Sequence, residues 1–224
     1  SPTIDSSAVR GTPVIKNYLD PENGIAKSIK TISGTTTDGI QLKNAILSSY
    51  TLCHVARYSG TTKGRIFAGT AGNYLYGFYN GSAGTSYHNG WITSSTGLID
   101  TNWHIQCDVG GSTRSSLRTD GVSKTTVTTN TNGLPANISI NLNGSTTAPT
   151  ETSDWEVAEI LIYDSALTDS QINQVEKSLN DKYGIIGMSS DLYTLNYPAI
   201  GDTTLYAQWN STITYNGNGA TSGT

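Results

Sequence analysis

The sequence predicts an all-β fold, an antiparallel sandwich of the jelly-roll kind with one amphipathic helix near its C-terminal end. Three observations carry this. Short apolar runs bounded by Gly, Asn-Gly or Asp-Gly recur at close, regular spacing from Gly39 to Ile140, the pattern of consecutive hairpins rather than of strand-helix-strand units. Only 35% of the 224 residues are apolar and 13% are charged, while Gly, Ser, Thr and Asn fill much of the remainder, a mixture suited to many turns. Lastly, WEVAEILIY (Trp155 to Tyr163) is apolar in both alternation phases, as a strand covered on both faces requires, and then gives way to a helical period.

Taken in order, residues 1–30 hold the turn-forming DPENG and no sustained period, so an irregular, partly paired edge is expected. GIQLKN and SYTLCHVARYSG read as strands, the second ending at Ser59-Gly60, and GRIFAG, NYLYGFYNG and HNGWIT continue the meander. In NWHIQCDVGGSTRSSLRTDGVSKTTVT, Gly110-Gly111 and Asp120-Gly121 are the expected tight turns, since both supply positive φ at low steric cost. ISINLNG and WEVAEILIYD complete the set. Thr168 with Gln171 three residues on has the form of a capping box, Ile172, Val175, Leu179 and Tyr183 make one apolar stripe, and Gly184 stands at the C-terminal cap. A helix with a single stripe buries against one surface, so it is expected on the flank of the sandwich, shielding an edge or open end.

Cys53 and Cys107 are too few for a disulfide scaffold and lack the paired spacing of a zinc site. Both sit in core phase and read as two reduced, buried thiols in preference to a bridge between sheets, because free Cys behaves as a small hydrophobe. If bonded, they indicate an oxidising compartment. A net charge of −4 offers no basic field for nucleic acid or anionic membrane, and no apolar run is long enough to cross a bilayer. Ser1-Pro2-Thr3 does not begin a signal peptide, so a removed leader or an excised fragment is expected.

The run EILIYDSALTDSQINQVEKSLNDKYGI resembles the closing strand and helix of laminin-G-like, concanavalin-A-like jelly rolls. That family often ends in a Glu-x-x-x-Tyr-Asp strand, an Ala-Leu-Thr/Ser-Asp cap and a Lys-Tyr-Gly finish. YTLCHVARYSGTTKGRIFAG resembles its early core strand, and NWHIQCDVGG with LRTDG its middle hairpin. The resemblance spans Ile40 to Ile185 and implies a domain over residues 1–187. Past it, IGDTTLYAQW is similar to the last strand of internalin-B-type surface repeats and TITYNGNGATSGT to the opening of a next copy. Residues 188–224 are accordingly expected to be a junction and a partial β-grasp-type repeat, which implies display on a cell or virion surface.

Two groups of residues carry candidate chemistry. In NYLYGFYNGSAGTSYHNGW, aromatic planes that pack on sugar C–H faces alternate with Asn, Gly and Ser that bond hydroxyls. Tyr74 and Tyr76 share a strand phase with Phe78 and also suit sheet packing. Tyr87, His88 and Trp91 fall near turns and are expected to be exposed, which makes these five the carbohydrate-binding candidates. The second group follows from parity: His104 and Gln106 lie opposite Trp103 and Ile105, and are expected to project from the non-core face. With His54, Arg57 and Tyr76 they resemble the set with which jelly-roll polysaccharide lyases neutralise a uronic acid carboxylate and move the protons of a β-elimination. The Arg-Ser/Thr-Glu-Leu-Arg and Lys-Ala-Gly-x-Tyr blocks of those lyases are absent, and His54 and Arg57 have opposite phase.

Glu156 and Glu159 also have opposite phase and cannot flank one glycosidic bond on a regular strand. Asp100, Asn102 and Asp120 sit in turns where the resemblance allows calcium, without a ligand spacing that specifies it. No metal or other cofactor is otherwise expected. Asn80, Asn137, Asn143 and Asn210 head formal glycosylation sequons. The leading expectation is a noncatalytic extracellular or virion-surface module that binds polysaccharide. A β-eliminating lyase and a structural protein-contact module are the alternatives.

Overall fold

A computed structural model describes residues 9–42, 49–111, 115–127, 137–142 and 150–189. Thirteen strands are placed among these residues: β1 Val9–Arg10, β2 Val14–Leu19, β3 Ser28–Gly34, β4 Gly39–Leu42, β5 Ser49–Lys63, β6 Phe67–Gly69, β7 Tyr74–Tyr79, β8 Ser82–His88, β9 His104–Gly111, β10 Ser116–Thr119, β11 Val122–Ser123, β12 Ile138–Ile140 and β13 Ser153–Tyr163. One helix, α1, spans Asp169–Tyr183. The strands form two antiparallel sheets of order β1-β4-β12-β6-β7-β8 and β11-β10-β9-β5-β13-β3-β2, so the all-β sandwich expected from the sequence is the fold observed.

Two apolar layers result. Between the sheets, Ile40, Phe67, Tyr76, Phe78, Ile138 and Ile140 of the six-stranded sheet meet Leu52, Ala56, Tyr58, Trp155, Val157 and Ile160 of the seven-stranded one. On the other side of the seven-stranded sheet, Cys53, Val55, Ile105, Cys107 and Val109 pack against Ile172, Val175, Leu179 and Tyr183 of α1. The central strands β5, β9 and β13 are therefore buried on both faces, which is why WEVAEILIY is apolar in both phases. The helix covers a sheet face, not the edge or open end expected. The reason is the position of its stripe, which lies over the outward phase of β5 and β9.

The helix itself follows its local signals. Thr168 accepts from the Gln171 amide while Gln171 reaches back to the Thr168 backbone, and Gly184 takes the left-handed conformation at φ 67°. Buried Glu176 meets Arg118 of β10 at 3.0 Å, and Glu159 of β13 receives Lys182 at 2.8 Å and the Tyr183 hydroxyl at 2.6 Å, so an ion pair joins each half of the helix to the sheet.

Several expectations are corrected. Cys53 and Cys107 form a disulfide. They are neither reduced thiols nor a bridge between sheets: the β5–β9 register sets them directly opposite each other on neighbouring strands, with both side chains in the layer beneath α1. Residues 9–34 are more regular than expected, β2 and β3 closing one end of the seven-stranded sheet. HNGWIT is not a strand. The partner of β7 is β8, seven residues of Ser, Ala, Gly, Thr, Tyr and His joined through an Asn80-Gly81 turn with φ of 46° and 82°. Gly110 and Gly111 lie within β9 rather than in a turn, and Gly110 is required because the Tyr50 ring covers it, 2.4 Å from where a Cβ would stand. The Asp120-Gly121 turn is present. The surface repeat expected from residue 188 onward, and the sequons at Asn143 and Asn210, lie outside the described residues, apart from Met188 and Ser189.

Replacing Thr168 by Ala removes the capping oxygen and is expected to cost about 1 kcal/mol of stability, read from the urea midpoint at unchanged slope. A loss below about 0.2 kcal/mol would show that tertiary burial alone holds the helix end.

Candidate carbohydrate-binding surface

Because β9 is covered on both faces, its polar phase does not open to solvent. His104, Gln106 and Asp108 point between the sheets toward β7 and β8, and all three are buried. The expectation that His104 and Gln106 project outward is corrected: the phase opposite Trp103 and Ile105 faces the second sheet, and the Trp103 phase faces the helix layer. These polar side chains hold the fold together at specific backbone irregularities.

Gln106 shows this most clearly. The pairing of β7 with β8 shifts between Gly77 and Phe78, leaving Gly84 as an extra residue with φ 80°. Gln106 Oε1 accepts the Gly84 amide and the Thr119 hydroxyl, each at 3.1 Å, and so satisfies a backbone group that the bulge leaves unpaired. The Gln106 amide lies where a Cβ on Gly77 would fall, 2.7 Å away. His104 is held by Asp120 at 2.6 Å and Asp100 at 2.9 Å. Burial opposes its charge, but the two aspartates prevail and lift its pKa to about 9. Asp120 also accepts the Ile105 amide and Asp100 the Asn102 amide. Asp100 and Asp120 thus gather around the imidazole. Among the described residues no group of three or more His, Cys, Asp or Glu is arranged to hold a metal.

At the adjoining end of the sandwich, Asp108 accepts a short hydrogen bond from Ser86 and lies 2.9 Å from His88 Nε2, off the hydrogen-bond axis, while His88 Nδ1 is 3.4 Å from the Ser115 hydroxyl. The Tyr50, Tyr74 and Tyr76 rings surround the imidazole at 5.6–6.5 Å. Ser115, His88 and Asp108 have the connectivity of a nucleophile relay, but they are 1%, 3% and 0% exposed, so a substrate cannot reach the hydroxyl and the set is a buried clamp between sheets. Sequence reading missed it because the three residues come from β8, β9 and the start of β10, and only the pairing register brings them together.

His54 stacks on Phe67 at 4.2 Å with neither ring nitrogen hydrogen-bonded among the described residues. Burial, aided by nearby His104, lowers its pKa to about 3. Arg57 lies on the opposite face of β5, as its phase requires. It bonds Glu156 at 2.9 Å, meets Asp20 at 3.6 Å and covers the Trp103 ring at 5.5 Å; Lys16 and Tyr18 complete the shell around Glu156. The five lyase candidates are therefore split between two sides of one sheet, and His54, Tyr76, His104 and Gln106 are sealed in the interior. Of the five carbohydrate-binding candidates, Tyr74, Tyr76 and His88 also face inward and are buried. The expected exposure of His88 is corrected: it ends β8 in the inward phase, opposite Tyr74.

What remains on the outside is a compact aromatic platform. Leu75 pairs with Tyr87, and Tyr87 with Trp91 through an isolated bridge, placing both aromatics on the outer face of the six-stranded sheet. Trp91 meets the Tyr87 ring at 5.1 Å and the Tyr79 ring at 5.4 Å, both edge to face, and all three are half-buried. Arg65 extends the platform, its guanidinium 5.9 Å from the Tyr79 ring and bonded to Glu151 at 2.5 Å and Asn73 at 2.6 Å. Asn89 accepts the Asn73 amide at 2.7 Å beside it. Tyr79 was absent from the expected site although its phase, opposite Tyr74, Tyr76 and Phe78, marks it as outward.

No family model and no curated protein matches this chain. Among solved structures, the binding domain of Paraclostridial Mosquitocidal Protein 1 aligns at a TM-score of 0.51 and 13% identity, covering 76% of this chain and 47% of that one. Domain 4 of AbnA, an extracellular GH43 arabinanase from Geobacillus stearothermophilus in complex with arabinotriose, aligns at 0.47 and 19% identity, covering 74% and 82%. The binding domain of botulinum neurotoxin DC in complex with SialylT aligns at 0.47 and 12%, covering 79% and 48%. The chain thus spans about half the length of the two toxin chains. At these identities the likeness is one of fold, a β-sandwich.

The neutral burial of His54 has a pH signature. The folded state keeps the ring uncharged while the unfolded chain takes up a proton below pH 6.5, so stability falls as pH drops from 6.5 toward 3. His54→Phe removes that loss, and its stability relative to the parent is expected to be about 2 kcal/mol more favourable at pH 5 than at pH 8. An equal difference at both pH values in denaturant titrations would contradict a buried neutral imidazole.

Proposed function

We propose that this domain is a noncatalytic carbohydrate-recognition module of an extracellular or virion-surface protein, and that Tyr79, Tyr87 and Trp91 form its glycan platform. The observation that carries this reading is the position of Trp91: a large aromatic held edge to face between two tyrosines, half-exposed, on the outer face of a rigid sheet. Such planes bury sugar C–H faces, while neighbouring amides and phenol hydroxyls supply directional hydrogen bonds. The disulfide supports an oxidising compartment, and the absence of a basic field is compatible with a glycan partner.

The β-elimination alternative is weakened by the burial of His54, Tyr76, His104 and Gln106 between the sheets. A purely structural role leaves the exposure of three clustered aromatics without a purpose.

Trp91→Ala is expected to keep the circular dichroism and melting temperature of the parent and to weaken binding to glycans retained on an array about tenfold, roughly the 1.4 kcal/mol that one aromatic contact supplies. Unchanged affinity in Trp91→Ala would remove the platform from the proposal, and an array with no retained glycan would favour the structural reading.

A further inference from the structure

The charge around the platform selects among glycans. An acidic sugar is recognised by a cation that meets its carboxylate, usually an arginine with its fork open to the ligand. Arg65 is the cation that touches the platform, yet its fork is taken: Nε is bonded to Glu151 at 2.5 Å, another nitrogen to Asn73 at 2.6 Å, and its side chain is only 5% exposed. Glu151 is the more exposed partner at 33%, so the solvent-facing charge of the pair is the carboxylate. On the adjoining stretch of β5, Lys63 lays its stem along Gly81 at the β7–β8 turn. Asp154, next to its register partner Ser153, accepts the Thr62 amide at 2.9 Å. The two cations and two carboxylates beside the platform cancel, and the groups left to meet a ligand are aromatic planes, phenol hydroxyls and amides.

We infer that the Tyr79–Trp91–Tyr87 platform takes neutral polysaccharide and discriminates against uronic or sialic acid polymers. This inference rests on the glycan reading above. Recognition is then by C–H packing on rings and neutral hydrogen bonds, so affinity is insensitive to ionic strength, whereas recognition through a carboxylate is screened by salt. A carboxylate on the ligand also meets Glu151 as a like charge with no free cation to offset it.

The test pairs neutral and acidic polymers of related backbone, galactan with polygalacturonate and mannan with polymannuronate, in affinity electrophoresis and calorimetry at 20 mM and 500 mM salt. The expected result is binding to a neutral member at least tenfold tighter than to its acidic counterpart, changing less than twofold with salt and lost in Trp91→Ala. In Glu151→Gln, discrimination against the acidic member narrows. Tighter, salt-suppressed binding of an acidic polymer that depends on Trp91 would overturn the neutral selection and leave the glycan reading standing. Binding to no polymer, neutral or acidic, would overturn both.

Discussion

The rest of the structure depends on the double burial of β5, β9 and β13. One face of this ribbon carries Leu52, Ala56, Trp155 and Val157 into the space between the sheets, and the other carries Cys53, Val55, Ile105 and Cys107 beneath α1. A strand covered on both faces has no side on which a polar group meets water, and an unpaired polar group there is costly. Every polar residue on β9 therefore needs an internal partner. His104 has two aspartates, Gln106 has a bulge amide, and Asp108 has Ser86. His54 is the exception, kept uncharged against Phe67.

The same constraint decides where a ligand can bind. With the helix on one face of the seven-stranded sheet and the second sheet on the other, the central strands offer no surface, and the outer face of the six-stranded sheet carries the aromatic platform. The interior relay of Ser115, His88 and Asp108 and the His104 knot lie directly below that sheet. Their effect on binding is indirect: they fix the β7–β8 hairpin against β9 and β10, and so hold the strands that carry Tyr79 and Tyr87. A platform on paired strands is better ordered than one on loops, and the disulfide ties β5 to β9 within the sheet that supports it.

Local features were legible in the sequence. The capping box, the apolar stripe and Gly184 are i,i+3 and i,i+4 relations that need no tertiary information, and the helix follows them closely. The two-phase apolarity of Trp155–Tyr163 announced a doubly covered strand. β8 was not legible because Ser82, Thr85 and Ser86 are small polar residues buried by their surroundings, and β propensity says little where packing decides. Parity separated His104 from Trp103 correctly but could not say which phase was outward, since neither is. The disulfide and the His88 clamp depend on register between strands far apart in sequence. Tyr87 and Trp91 were picked out for the right segment; Tyr74, Tyr76 and His88 came with them because alternation alone does not reveal which face a second sheet will cover.

Oxidation of tryptophan by limiting N-bromosuccinimide, followed residue by residue by mass spectrometry on the folded protein, tests the central claim most directly. The account predicts that Trp91 is modified first, while Trp103 under the helix layer and Trp155 between the sheets react only as the fold is lost. Modification of Trp103 at the rate of Trp91 in the native state would contradict it, because the face of β9 assigned to the helix would then be open to water.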